Sequence, residues 1–382
     1  MRVLAVTGTR ADWGLLAPVL TALREDTGFQ LELAATGQHL MSGSTSLDEV
    51  HADHFEIAHR VDMQLSGDDS AAAVSRAMGA GLAGFGQLLA AHRPDLMLVL
   101  GDRYEILGAV CAALLARVPV AHLCGGDVTE GAIDDSIRHA ITKMSHLHFV
   151  SHAEARDRVI QLGEQPENIY LVGSPGLDRI RQISLMGRNE LLESVWLQPC
   201  ARNLLITFHP VTLADDSMSQ CLAMLEALAG LPDTGFICTG SNADPEGRRI
   251  DEAMQDFVAR RPNAVFHASL GSRRYFSALA QVDAVVGNSS SGLYEAPSFK
   301  VATVNIGDRQ KGRPRAASVI DCDPETPAIR AAIDKALGLD CCKVVNPYGD
   351  GHTADRVRLI LSAITEPKSL LRKRFTDLPL NP

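Results

Sequence analysis

The chain has 382 residues, room for roughly two domains, and its 46% apolar and 21% charged side chains suit a globular protein with a full core. A formal net charge of −10 argues against a nucleic-acid or anionic-membrane surface, so an anionic ligand would need cations placed locally. The eight cysteines include no Cys-x-x-Cys pair, which excludes a cysteine metal framework and points to reduced thiols in a cytoplasm.

In chain order, short apolar runs alternate with longer helical patterns, the signature of parallel α/β sheets. The first predicted strands are Val3–Val6, Leu31–Ala35, Leu96–Leu100, Val118–Leu123, His146–Val150 and Ile169–Val172. Val3–Val6 is too short for a signal-peptide core or a membrane span. A second set follows at Leu204–Phe208, Gly235–Cys238, Ala264–His267, Ala284–Val286 and Val301–Val304. Helical patterns include Leu15–Leu23, Ala71–Ala90 and Met218–Ala229. The expectation is an α/β protein with two doubly wound, Rossmann-like domains facing a cleft, residues 1–175 and 176–365. A basic C-terminal tail, 366–382, can pack back on the first domain.

Most strands end in glycine and polar residues. The first half offers Thr7-Gly8-Thr9-Arg10, Thr36-Gly37-Gln38-His39, Gly101-Asp102-Arg103-Tyr104-Glu105 and Gly125-Gly126-Asp127. The second offers His209-Pro210, Ser241-Asn242, Gly287 to Glu295, and Gly307-Asp308-Arg309-Gln310-Lys311. In open α/β sheets ligands bind at the carboxyl ends of strands.

Arg10 could hold a diphosphate, or be a solvated arginine. Asp102 and Glu105 are candidate bases, the alternative being a loop ion pair with Arg103. Residues 125–139 gather Asp127, Glu130, Asp134, Asp135, Arg138 and His139. Clustered carboxylates can split their pKa values and serve as acid and base. Asp134 or Asp135 could equally cap a helix, and Arg138 could pair with Asp134 four residues earlier. His209 could donate to a phosphate or sugar, or be a structural histidine. The loop Gly287, Asn288, Ser289, Ser290, Ser291, Gly292, with Glu295 expected one turn into a following helix, has the composition of a phosphate-binding turn. His146 and His148 share a strand face but lack a third ligand of suitable spacing, so no metal is expected. Gly79-x-Gly81-x-x-Gly84 follows a helical stretch rather than a strand; it is read as helix packing, and no nicotinamide is expected.

Taken together, Gly101 to Glu105, Asp134 to Lys143, Phe208-His209-Pro210, Gly287 to Glu295 and Asp308 to Arg313 resemble the hydrolysing UDP-N-acetylglucosamine 2-epimerases of sialic acid and legionaminic acid biosynthesis. The resemblance runs from Thr7 to about residue 350. It implies the glycosyltransferase-B fold, conversion of UDP-N-acetylglucosamine and water to N-acetylmannosamine and UDP, no cofactor, and a homodimer or homotetramer. It also implies sugar chemistry at Asp102 and Asp134. Nucleotide contact would fall to His209, Ser290 and Glu295, and diphosphate contact to Arg10 and Arg313. The candidate catalytic set is thus Asp102, Glu105, Asp127, Glu130, Asp134, Arg138 and His209. The candidate nucleotide set is Arg10, Ser241, Asn242, residues 287–292, Glu295, Arg309 and Arg313. The chain departs from the family pattern at Cys124, where many relatives carry glutamate in His-x-Glu-Gly-Gly, leaving Asp127 or Glu130 to take that part. Alternatives are the same chemistry on a UDP-linked 2,4-diacetamido-trideoxy sugar or a GDP-linked one, or a glycosyltransferase of the same fold.

Overall fold

The computed structural model describes residues 1–65, 70–129, 132–210, 216–241 and 247–378; Glu130 and Asn242 lie outside them. Two compact units result. One is Met1–Arg179 together with the chain from Tyr348 onward, the other Ile180–Pro347.

The first unit is built on a parallel seven-stranded sheet: β1 (Arg2–Thr7), β2 (Gln30–Thr36), β3 (His59–Val61), β4 (Leu96–Leu100), β5 (Val120–Leu123), β6 (Leu147–Val150) and β7 (Ile169–Leu171). Their order is β3-β2-β1-β4-β5-β6-β7. Strand residues alternate between two cores. Val3 and Ala5 of β1 pack on one face, Leu4 and Val6 on the other. Coverage of both faces is why these strands read as continuous apolar runs. The second unit has a parallel six-stranded sheet: β8 (Arg202–Thr207), β9 (Thr234–Thr239), β10 (Ala264–His267), β11 (Ala284–Gly287), β12 (Ala302–Ile306) and β13 (Val319–Cys322), in the order β10-β9-β8-β11-β12-β13. Ala284 and Val286 face one core and Val285 the other.

Both sheets reverse their winding once, between β1 and β4 in the first and between β8 and β11 in the second. A topological switch point opens a crevice at the strand carboxyl ends. Thr7-Gly8 and Gly101-Asp102 flank the first switch point, His209 and Gly287-Asn288 the second.

The expected boundary at residue 365 is corrected. The helix Thr353–Ser362 belongs to the first unit, because Ala354, Val357 and Leu361 are buried in its core. The Asp178 carboxylate accepts the N–H groups of Thr353 (3.1 Å) and Ala354 (2.8 Å) at that helix start, and Arg358 pairs with Asp26 at 2.8 Å. Further along, Lys373 reaches the buried Glu164 (2.7 Å), which also binds Lys143 (2.8 Å) and His148 (3.0 Å).

Gly79, Gly81 and Gly84 lie inside the helix Ala71–His92. A Cβ on Gly84 would stand 2.7 Å from Val61, so this glycine serves close packing on β3. His146 Nδ1 accepts the Val120 N–H at 3.1 Å, and His148 is committed to Glu164. All eight cysteines are free. Among the described residues no helix is long and apolar enough to cross a membrane.

Candidate active site

In the first unit, Asp102 converges with Asp127, Thr129, Asp135 and Arg138. Arg138, nearly buried, donates to Asp102 Oδ2, to the Asp127 carbonyl (2.8 Å), to Thr129 Oγ1 (2.9 Å) and to Asp135 Oδ1 (3.5 Å). A planar guanidinium matches several oxygens at once, so one residue gathers the strand end and the loop. The helix is Ile133–Met144 with Ala132 at its N-cap; Asp134 and Asp135 occupy its first turn instead of capping it. Asp135 accepts the Thr129 N–H at 2.7 Å and so holds the loop. Arg138 pairs with Asp102 and Asp135, not with Asp134, because the tertiary fold brings Asp102 within reach.

Asp134 is pushed above the usual carboxylate range by partial burial and by the Asp102 charge. Asp127 Oδ1 accepts from Ser151 Oγ (2.7 Å) and faces His152 Nε2 (3.0 Å). His152 opens the helix Ala153–Gln161 and also binds Glu154 at 3.0 Å; burial opposes its protonation, but the two carboxylates raise it overall. His152 and Ser151 directly follow β6, so the strand-end rule that found Asp102 could have found them.

Cys124 carries the left-handed backbone φ of 60° and leans on the core. Burial pushes its thiol far up, with Asp127 adding to the shift, so it stays a neutral thiol and does not stand in for a carboxylate. His122 behind it is buried and neutral, its pKa lowered to about 3, with Nε2 2.7 Å from the Gly101 carbonyl.

Glu105 is not in this cluster. It is fully buried against Gly8 and Gly37 and paired with Arg103 at 3.2 Å. Arg10, at the start of the helix Arg10–Glu25, is largely exposed and bound to Glu49 at 3.0 Å. Beneath it, the Asp12 carboxylate accepts from Gly8 N–H (2.8 Å), Thr9 N–H (3.1 Å) and Thr7 Oγ1 (2.7 Å), which shapes the first strand-end turn. Asp12 escaped the strand-end pattern because it lies inside a helix.

In the second unit, Asn288 ties two strand ends together. Its Oδ1 accepts the His209 N–H (2.7 Å) and its Nδ2 donates to the His209 carbonyl (2.8 Å). Arg309 (3.2 Å) and Gln310 (2.8 Å) both donate to the Asn288 carbonyl, and Arg313 donates to Gln310 Oε1 at 2.7 Å. Arg313 also lies over the Tyr294 ring, 5.7 Å from its centroid. Two guanidinium groups therefore stand beside the loop.

The helix expected after this loop is only Ser291–Tyr294, with Glu295 at its C-cap, followed by a 3₁₀ turn at Ala296–Phe299. Four residues build little macrodipole, so anion attraction here rests on Arg309 and Arg313 and on loop N–H groups. Ser290 accepts the N–H groups of Leu293 and Tyr294 through its carbonyl, and Ser289 Oγ lies 3.4 Å from the Ser291 N–H. Gly292 packs on Thr303, where a Cβ would stand 2.5 Å away. Burial raises Glu295 to about 7. Ser241 instead anchors the helix Gly247–Ala259, with its N–H on Asp251 (2.7 Å) and its Oγ on the Gly247 carbonyl (2.9 Å).

Gly287 has φ 141°, and a Cβ there would meet the Thr207 carbonyl oxygen at 1.9 Å. Gly287→Ala is expected to destabilise the second unit by more than about 3 kcal/mol, read as an earlier urea midpoint. An unchanged midpoint would show that β8 and β11 tolerate separation there.

Two parallel-sheet α/β units, each with polar groups at its switch point, define a class of two-domain α/β proteins suited to nucleotide-linked ligands. The family model described as UDP-N-acetylglucosamine 2-epimerase matches residues 21–362. The chain is 36% identical over 374 residues to the hydrolysing UDP-N,N'-diacetylbacillosamine 2-epimerase of Legionella pneumophila, covering 97% of this chain and 98% of that protein. It is also 36% identical to the hydrolysing GDP/UDP-N,N'-diacetylbacillosamine 2-epimerase of Campylobacter jejuni, over 84% of each. The crystal structure of the Neisseria meningitidis UDP-GlcNAc 2-epimerase bound to UDP-GlcNAc superposes with a TM-score of 0.74 at 18% identity, covering 94% of this chain and 100% of that one. The chain belongs to the hydrolysing UDP-N-acetylglucosamine 2-epimerase family, with the glycosyltransferase-B-like fold.

Proposed function

We propose that the protein is a hydrolysing 2-epimerase whose substrate is UDP-N,N'-diacetylbacillosamine, a UDP-linked 2,4-diacetamido-2,4,6-trideoxyglucose. It would release UDP and the free manno epimer. The observation that carries this reading is the Asp102–Arg138 pair at a switch point, with Asp134 in reach of the Asp102 charge, in a chain resembling a diacetylbacillosamine epimerase along nearly its whole length. UDP-N-acetylglucosamine is the second reading, favoured by the description of the matching family model.

No ketone activates the C2 proton, so the easier route begins at the anomeric bond. The C1–O bond breaks with its electron pair leaving on UDP, and positive charge grows at C1. A carboxylate removes the C2 proton, giving a glycal. Water then adds at C1, and a proton returns to C2 from the opposite face. Two faces call for two proton carriers. Asp102, paired with Arg138, fits the base, and Asp134, raised by that neighbouring charge, fits the acid. Asp127, bonded to Ser151 and His152, takes the part for which Cys124 is unsuited. Arg309, Arg313 and the 287–292 loop would hold the diphosphate, and Glu295 would accept the ribose hydroxyls.

Glu295 accepts from hydroxyls best when ionised, and its pKa near 7 makes that pH-dependent. UDP affinity is expected to fall as pH drops from about 8 to about 6, and Glu295→Gln to flatten that slope in calorimetric titration. A wild-type slope identical to that of the variant would remove Glu295 from the nucleotide contacts.

The deciding assay supplies UDP-N,N'-diacetylbacillosamine, UDP-N-acetylglucosamine or a GDP-linked counterpart without any acceptor. Release of UDP with a free manno sugar is the expected result, fastest with the first substrate. Turnover that waits for an acceptor would point instead to a glycosyltransferase.

A further inference from the structure

At the other side of the first sheet, three side chains outside the proposed reaction meet. Glu32 lies in β2, His59 opens the edge strand β3, and His92 closes the helix Ala71–His92. The parallel register pairs Ala34 with His59, and Glu32, two residues earlier on the same face, reaches back to the ring. Glu32 Oε2 stands 2.7 Å from His59 Nε2. The His92 ring lies against His59, with centroids 4.4 Å apart and planes at 56°. One ligand atom from each residue lies within 4.8 Å of the other two. Arg2 is turned elsewhere: it donates to the carbonyls of His92 and Arg93, pairs with Asp95, and so fastens the helix end under the His92 ring.

We propose that Glu32, His59 and His92 form a binding site for a divalent cation of the zinc class. Two imidazoles and one carboxylate suit zinc and its borderline neighbours rather than magnesium or calcium, which prefer oxygen ligands. Bond lengths of about 2.0–2.2 Å need the three donors roughly 3.5 Å apart, so the cluster has to tighten by about 1 Å. His92, exposed at a helix end, can move that far, while Glu32 and His59 are held by the sheet. Water fills the fourth position. The ion replaces the Glu32–His59 hydrogen bond and staples β3, which pairs on one side only, to β2 and to the helix end. It stabilises the first unit and takes no part in turnover.

The test is calorimetric titration of the tag-free full-length chain, stripped of metal, with zinc chloride, alongside melting curves with and without zinc. A Cys342→Ser background removes the exposed thiol as a competing ligand. One zinc per chain is expected, with a rise in melting temperature and no comparable response to magnesium. His59→Gln and, separately, His92→Gln should each weaken binding by at least about tenfold and cancel the thermal gain. His92→Gln changes only an exposed helix end, so its loss of zinc binding would not be a folding artefact. Absence of zinc binding by the parent chain, or equal binding by both variants, would overturn the site.

Discussion

Replacing Asp102 by asparagine is expected to lower turnover by about 10²–10⁴-fold while UDP still binds as before. Asn keeps the shape of the side chain at the end of β4 but gives up the charge and the ability to take a proton. Arg138 retains the Asp127 carbonyl, Thr129 and Asp135, so the cluster stays assembled and the fold should survive. Asp134 would also lose the neighbouring charge that raises it, and its pKa should fall. The alkaline limb of any residual turnover, set by loss of the Asp134 proton, should therefore move to lower pH. The Asn288 loop belongs to the other unit, which is why nucleotide affinity serves as the internal control. Unchanged turnover would take Asp102 off the catalytic list. Lost UDP binding would point to a folding defect and not to chemistry.

The second large effect is on stability. Glu164 is 2% exposed and receives Lys143, Lys373 and His148. Glu164→Gln leaves those groups around an uncharged amide, and loss of one partner of a buried ion network costs about 3–5 kcal/mol. The damage should fall on the first unit and release the C-terminal tail, because Lys373 also holds the Lys143 carbonyl at 2.7 Å and Phe375 covers Gly163. Trp13, buried in that unit, reports its unfolding in a Trp196→Phe background.

The pH dependence follows from the same network. Burial opposes the Glu164 charge, but bonds from His148, Lys143 and Lys373 outweigh it and hold the carboxyl at about 2, below its ordinary 4.5. Its stabilisation is present above 4.5 and is lost as pH falls toward 2. Burial keeps His146 and His122 neutral, with pKa values of about 4 and about 3, while the unfolded chain protonates them from 6.5 downward. The wild type should therefore weaken steadily below pH 6.5, with a further loss below 4.5 that Glu164→Gln lacks. A denaturation midpoint unmoved by Glu164→Gln would mean that the network contributes no net stability.

Much of this architecture is written in local pattern. Fully buried strands such as Leu96–Leu100 show as unbroken apolar runs, and the polar residues after them mark the switch points. Two edge strands do not show, although the edge strands Ile169–Leu171 and Ala264–His267 do. His59–Val61 and Val319–Cys322 mix polar and apolar residues, and each joins its sheet only by pairing with the strand before it. The same limit holds within the candidate site. Spacing offered Asp134 as the partner of Arg138, yet the fold supplied Asp102 from 36 residues away. Glu164 and His152 found their distant partners, Lys373 and Asp127, through tertiary contacts, whereas Asp12 is held by the local turn at Thr7–Thr9. The helix expected after the Gly287 loop stops after one turn, where Pro297 and the turn at Ala296–Phe299 end it.

In the proposed reaction the sugar passes through a glycal and regains its C2 proton from the enzyme. The direct measurement is turnover of UDP-N,N'-diacetylbacillosamine in heavy water, with the released sugar read by proton and deuterium NMR. Deuterium at C2 of the manno product, together with free UDP, is the expected result. Product that carries only protium at C2 would contradict it.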